Sequence, residues 1–221
     1  MKKSIVSYLY LWVLLCGVIP FLIGCQKTYY RTMEAFGYQK RDLLVERVED
    51  ARDAQEVAKE QFQSALEKFG EVVEFKGGEL EEKYKELKAE LEKSESRAKE
   101  VKKHIGDVEN VAEDLFDEWE SELSQYSNDN LRRSSEQKLK LTRQRYAHLI
   151  GAMKRAEGKI SPVLTAFRDQ VLFLKHNLNA QAIASLQNEL ISVEADIESL
   201  IKEMEASIAE ANSFIKEMGK E

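Results

Sequence analysis

Thiols and prolines are almost missing from this chain, which has only Cys16 and Cys25, and only Pro20 and Pro162. Two cysteines so near one end cannot make a disulfide framework or a sulfur-rich metal site. Histidine is scarce as well. His104, His148 and His176 lie far apart, and none follows a glutamate by three residues, the spacing that metal-binding bundles use. Glu100 and His104 sit one helical turn apart, but in so glutamate-rich a chain such pairs arise by chance, so no metal site is expected. There is no glycine-rich phosphate loop and no Gly-x-Ser-x-Gly, and no catalytic residue is expected. A net positive balance is lacking too: the net charge is -7, which argues against a nucleic-acid partner, since that wants a basic stripe.

What is present is charge and helix-forming residues. One third of the chain is Asp, Glu, Lys or Arg, and Ala, Leu, Glu and Lys dominate, a mix that reads as long helix or coiled coil. From about 38 to 76, Leu44, Val48, Ala51, Gln55, Ala58, Phe62, Ala65, Phe69 and Val72 recur in steps of four and three, a sustained heptad seam. Gly77-Gly78 stops it and permits a tight reversal. A second seam follows over 79–126, through Leu80, Tyr84, Leu87, Leu91, Ser94, Ala98, Val101, Ile105, Val108, Ala112, Leu115 and Trp119. A reversal at the two glycines sets Phe69 near Leu87, Ala65 near Leu91 and Val48 near Val108.

Ser127-Asn128-Asp129-Asn130 is a cluster of turn formers. It divides an acidic stretch (Glu113, Asp114, Asp117, Glu118, Glu120, Glu122) from a basic one (Arg132, Arg133, Lys138, Lys140, Arg143, Arg145), so an antiparallel reversal lays opposite charges together. That reversal brings Trp119 to Leu139 and Val108 to Ile150. The third segment, 131–177, carries Leu139, Tyr146, Met153, Ile160, Phe167 and Leu174, with Ile150, Leu164, Val171 and Leu178 as companions. The phase passes Pro162 without a slip, which predicts a kinked but continuous helix. The alternative makes Ser161 an N-cap and Pro162 the first residue of a new helix. The phase does shift at Asn177 to Asn179, which predicts a turn and a fourth helix over 180–218 through Ile183, Leu186, Leu190, Val193, Ile197, Leu200, Met204, Ala211, Phe214 and Met218. The expected fold class is all-α, an elongated antiparallel four-helix bundle or coiled coil. Gln55, Ser94, Arg143 and Glu157 fall on its seam positions, where polar groups fix register at some cost in stability.

The first residues read differently. Lys2 and Lys3 precede an uncharged run from Ile5 to Ile23, the order of a secretory signal. Leu22-Ile23-Gly24-Cys25 resembles the lipobox of bacterial lipoproteins. That resemblance implies cleavage after residue 24, a covalent lipid on Cys25 as the one prosthetic group, a tether over 25–37 and a bundle over 38–221. An uncleaved transmembrane helix is the competing reading, because the run is about as long as a bilayer requires. Gln26 is not the aspartate that holds such lipoproteins at the inner membrane, so the resemblance implies a periplasm-facing, lipid-anchored protein, of the outer membrane rather than the inner. Tyr29, Tyr30, Met33, Phe36 and Tyr38, interleaved with basic residues, suit either a headgroup layer or packing on the bundle.

The stretch Phe167 to Asn179 has more apolar positions than one seam can use. Phe167, Arg168, Asp169, Lys175, His176 and Asn177 therefore form a candidate interaction patch, in which Asp169 and His176 share a face and could pair. Tyr-x-x-Met-Glu-x-x-Gly-x-x-Lys-Arg-Asp (Tyr30 to Asp42), Asp-Leu-Phe-Asp-Glu-Trp-Glu (Asp114 to Glu120) and Phe167 to Asn179 are similar to a family of gammaproteobacterial coiled-coil lipoproteins known only as a domain of unknown function. The resemblance implies a lipoprotein and carries no activity. The expectation is a non-enzymatic helical scaffold or spacer that binds envelope proteins, with self-association possible. The alternative is a ligand-binding module with a pocket near Phe167 to Asn179.

Overall fold

The computed structural model describes residues 40–75 and 80–219. The leader, the lipobox with Cys25, the tether and the Gly77-Gly78 reversal all fall outside the described residues. The chain divides after Leu43, and the bundle core belongs to the unit Leu44–Glu221.

Four long helices account for most of the described residues: α1 (Lys40–Val73), α2 (Leu80–Glu122), α3 (Asp129–His176) and α4 (Ala180–Met218). A 3-10 turn at Leu123–Gln125 follows α2. No strand occurs among the described residues. At 48 residues, α3 is about 70 Å long. A helix of that length is held by its neighbours rather than by intrinsic propensity.

The turns form where side chains can replace missing backbone partners. Asn128 caps α3, its side chain accepting from the backbone N–H groups of Asn130 and Leu131. Asn179 caps α4 by accepting from Ala182 N–H. At the end of α3 the Asn177 N–H donates to Leu174 O at 3.2 Å. Each of the two asparagine side-chain N-caps contributes roughly 1 kcal/mol. Between these caps α3 runs through Pro162 without a break, so the alternative in which Ser161 starts a new helix does not hold.

Contacts between side chains set the layout. On the α1–α2 side, the Gln61 amide donates to the Glu90 carboxylate at 2.6 Å and Lys83 lies 3.5 Å from Glu71. Arg143 meets Glu120 at 2.6 Å and Lys154 meets Glu109 at 2.8 Å, joining α3 to α2. Arg155 and Glu203 at 3.4 Å, with Lys159 donating to Ser199 at 2.9 Å, join α3 to α4. Arg52 donates to Asn212 at 3.2 Å and Gln187 donates to Val73 O at 3.2 Å, closing α4 onto α1. In every pair one helix climbs as its neighbour descends, which is an antiparallel up-down-up-down bundle. Of the acidic and basic runs flanking Asn128, Arg143 meets Glu120 across the reversal, while Arg132 pairs with Asp129 of its own helix and Arg145 reaches Glu217 of α4. Trp119, expected beside Leu139, donates to Ser135 one turn from it, at 2.8 Å.

The interior follows the seams, with Tyr84, Ala98 and Trp119 of α2, Tyr146 of α3 and Leu190 of α4 only half-buried at its margin. All nine α1 positions from Leu44 to Val72 are buried. On α3 the chosen companions Ile150 and Leu178 are not core: Ile150 is half-buried and Leu178 is 42% exposed. Thr142, Leu149, Ala156 and Val163 are buried in their place. A helix touching two neighbours buries a stripe wider than a two-position seam, and the second position here leans toward Leu149 rather than Ile150. Leu178 leaves the core because α3 ends at His176.

Candidate interaction surface

The end of the bundle where α3 turns into α4 is the candidate site. Its construction starts with Phe167, which is buried and meets Phe69 of α1 edge-on, centroids 6.3 Å apart. Phe167 is therefore a core anchor, not a surface contact. Arg168 turns to α2, where it pairs with Glu95, its Nε donating at 3.1 Å. Asp169 and His176 are exposed, and no ion pair joins them among the described residues. Lys175 is exposed, while Asn177 is half-buried with its side-chain amide donating to Phe173 O at 2.9 Å.

The apolar surface between these polar groups escaped the choice of residues made from sequence. Leu172 is 51% exposed, Phe173 39% and Leu178 42%, and Ile191, about three turns into α4, is 76% exposed. The turn segment itself is uncharged: from His176 to Asn188 there is no Asp, Glu, Lys or Arg. In a chain one third charged, a gap of that length is visible in the sequence, and it could have marked the turn as well as the phase shift did.

Chemistry-bearing groups elsewhere are engaged structurally. Glu100 pairs with Arg97 at 2.7 Å rather than with His104, whose Nδ1 lies 3.9 Å from Asp107. Glu90 sits almost buried between α1 and α2. Burial pushes its carboxyl up, but hydrogen bonds from Lys93 and Gln61 prevail and hold it below its ordinary value. Tyr146 packs edge-on against Phe116 at 5.4 Å, with the Arg143 guanidinium 5.5 Å from the Phe116 centroid. Burial, helped by the negative charge of Glu109, pushes the Tyr146 phenol up to about 12. A hollow of about 200 Å³, lined by Glu122, Gln125 and Tyr126, lies at the α2–α3 turn. That is the opposite end of α3 from Phe167 to Asn179. No described helix is long and apolar enough to cross a membrane.

Fold and surface together define an all-α antiparallel bundle whose α3–α4 turn is uncharged and partly apolar. The chain belongs to a family of proteins of unknown function, DUF2959, whose model matches residues 29–218. No curated protein and no solved structure matches it.

Proposed function

We propose that the protein is a non-enzymatic scaffold of the bacterial envelope, tethered by a lipid on Cys25 and binding another envelope protein through the α3–α4 end. The observation that carries this reading is the exposed set Leu172, Phe173, Leu178 and Ile191, within and beside a stretch free of charged residues from 176 to 188. Exposed apolar groups beside uncharged polar ones are the composition of a protein contact rather than of a solvated helix face. The helix lengths support a spacer: α1 starts at the opposite end, so its 34 residues set the binding end about 50 Å from that start.

A photoreactive amino acid placed at Phe173 in intact cells tests the surface. An adduct with one envelope protein is expected from Phe173, and none from the exposed Val57 on α1. Equal labelling from both positions, or none from Phe173, would overturn the assignment. The tether is tested separately: labelled palmitate enters the wild-type chain and is lost in Cys25→Ser, whereas retention of label in that variant would refute acylation at this thiol.

A further inference from the structure

Two polar side chains are sealed inside the bundle with no protein partner. Gln55 of α1 and Ser207 of α4 are both fully buried, and Gln55 Nε2, Gln55 Oε1 and Ser207 Oγ make no hydrogen bond. They lie at one level of the bundle. Arg52 bonds Asn212 one turn to one side, and Lys59 lies 3.9 Å from Glu205 one turn to the other. Gln55 falls between the two α1 partners, and Ser207 falls between the two α4 partners.

Register along the other grooves places Gly151 and Ala152 of α3 at this level, since Arg155 reaches Glu203 and Lys159 reaches Ser199 between α3 and α4. Ala152 is buried there, so the α3 members of the layer are small. A Cβ added at Gly151 would meet only the Arg155 guanidinium, at 3.7 Å. Small residues on α3 leave room at this level, where the Gln55 amide and the Ser207 hydroxyl supply donors and acceptors. A buried water needs that room and two to four polar partners, and leaving such groups unpaired is unfavourable.

We infer that Gln55 and Ser207 hold an internal water and that this shared site locks the register of α1 against α4. The residues one heptad away explain why only one register serves. Sliding α4 by seven residues would set Leu200 or Phe214 opposite Gln55, and sliding α1 would set Val48 or Phe62 opposite Ser207, all four of them buried apolar groups. Each slipped register strands a buried polar group against hydrocarbon, while the native one gives both groups the same water. A single interior polar residue fixes coiled-coil register in this way.

The test is a double-mutant cycle in the full chain, with Gln55→Leu, Ser207→Ala and the pair, read by denaturant unfolding. A shared water makes the effects non-additive, with a coupling of at least about twofold in the unfolding equilibrium constant. Additive effects would overturn the proposal. A second measurement needs no variant. In the wild-type chain the Gln55 side-chain amide protons should show a nuclear Overhauser contact to a long-lived water. A folded chain without that contact refutes the site.

Discussion

Across the diagonal of the bundle, the ring of Phe69 on α1 stands at 80° to that of Phe167 on α3, centroids 6.3 Å apart. These two helices run parallel and are separated in sequence by the whole of α2, so this contact reports the assembled four-helix core rather than one hairpin. Both rings are buried. Phe167→Ala should destabilise the chain by about 3–5 kcal/mol through lost burial and the cavity left behind, seen as a lower urea midpoint. Were Phe167 a surface contact for a partner, the same change would leave the midpoint within about 0.5 kcal/mol and alter only binding.

Glu90 gives the bundle an acid-sensitive joint between α1 and α2. Burial raises its pKa, but the hydrogen bonds from Lys93 and Gln61 outweigh it and the net shift is downward from 4.5. A folded pKa below the unfolded one means stability that is fully present above about 4.5 and is lost as pH falls through the folded value. Unfolding free energy should therefore decline on acidification below that point, and Glu90→Gln should flatten the decline. Glu71 and Glu81, lowered by hydrogen bonds from Lys68 and Lys85, titrate in the same window but are exposed. Added salt should erase their share and leave that of Glu90.

The seam of α1 was fully legible because Val48, Phe62 and Phe69 are large apolar groups in a polar background, and the heptad carried even Gln55 into the core. The seam of α3 was less so. Thr142, Ala152 and Ala156 are buried there, yet threonine and alanine sit equally well on a surface, so nothing in their type announces the wider face. Ser207 was passed over for the same reason, although it stands in heptad step with Leu200 and Phe214. The interaction patch was expected at the α3–α4 end, yet Phe167 of that patch is core and Arg168 is committed to Glu95. Leu172 and Phe173 are the exposed groups, and which apolar residue of a helix faces out depends on where its neighbours end.

Tyr146 predicts a basic limb of the stability profile. Its phenol is half-buried against Phe116, and burial with the nearby Glu109 pushes it up to about 12. A folded pKa raised above the ordinary value of 10.0 gives stability that is complete below that value and is lost as pH rises through the folded one. Ultraviolet titration of the folded chain should show one phenol ionising about two units above the usual range. In Tyr146→Phe that late step should vanish, while the urea midpoint near neutrality changes little, because the edge-on ring contact is kept.

Pro162 lies inside α3 with its ring exposed, so it removes one backbone hydrogen bond without filling any core space. The missing donor would have served the carbonyl of Gly158, where the absence of a side chain relieves crowding against the ring. Restoring an N–H with Pro162→Ala should recover up to about 3 kcal/mol of helix propensity. The freed unfolded chain takes back about 1 kcal/mol of that, so a net gain of about 2 kcal/mol is expected as a higher urea midpoint. A loss of stability would mean that Val163 and Leu164, both buried, need the backbone distortion at Pro162 to reach their places in the core.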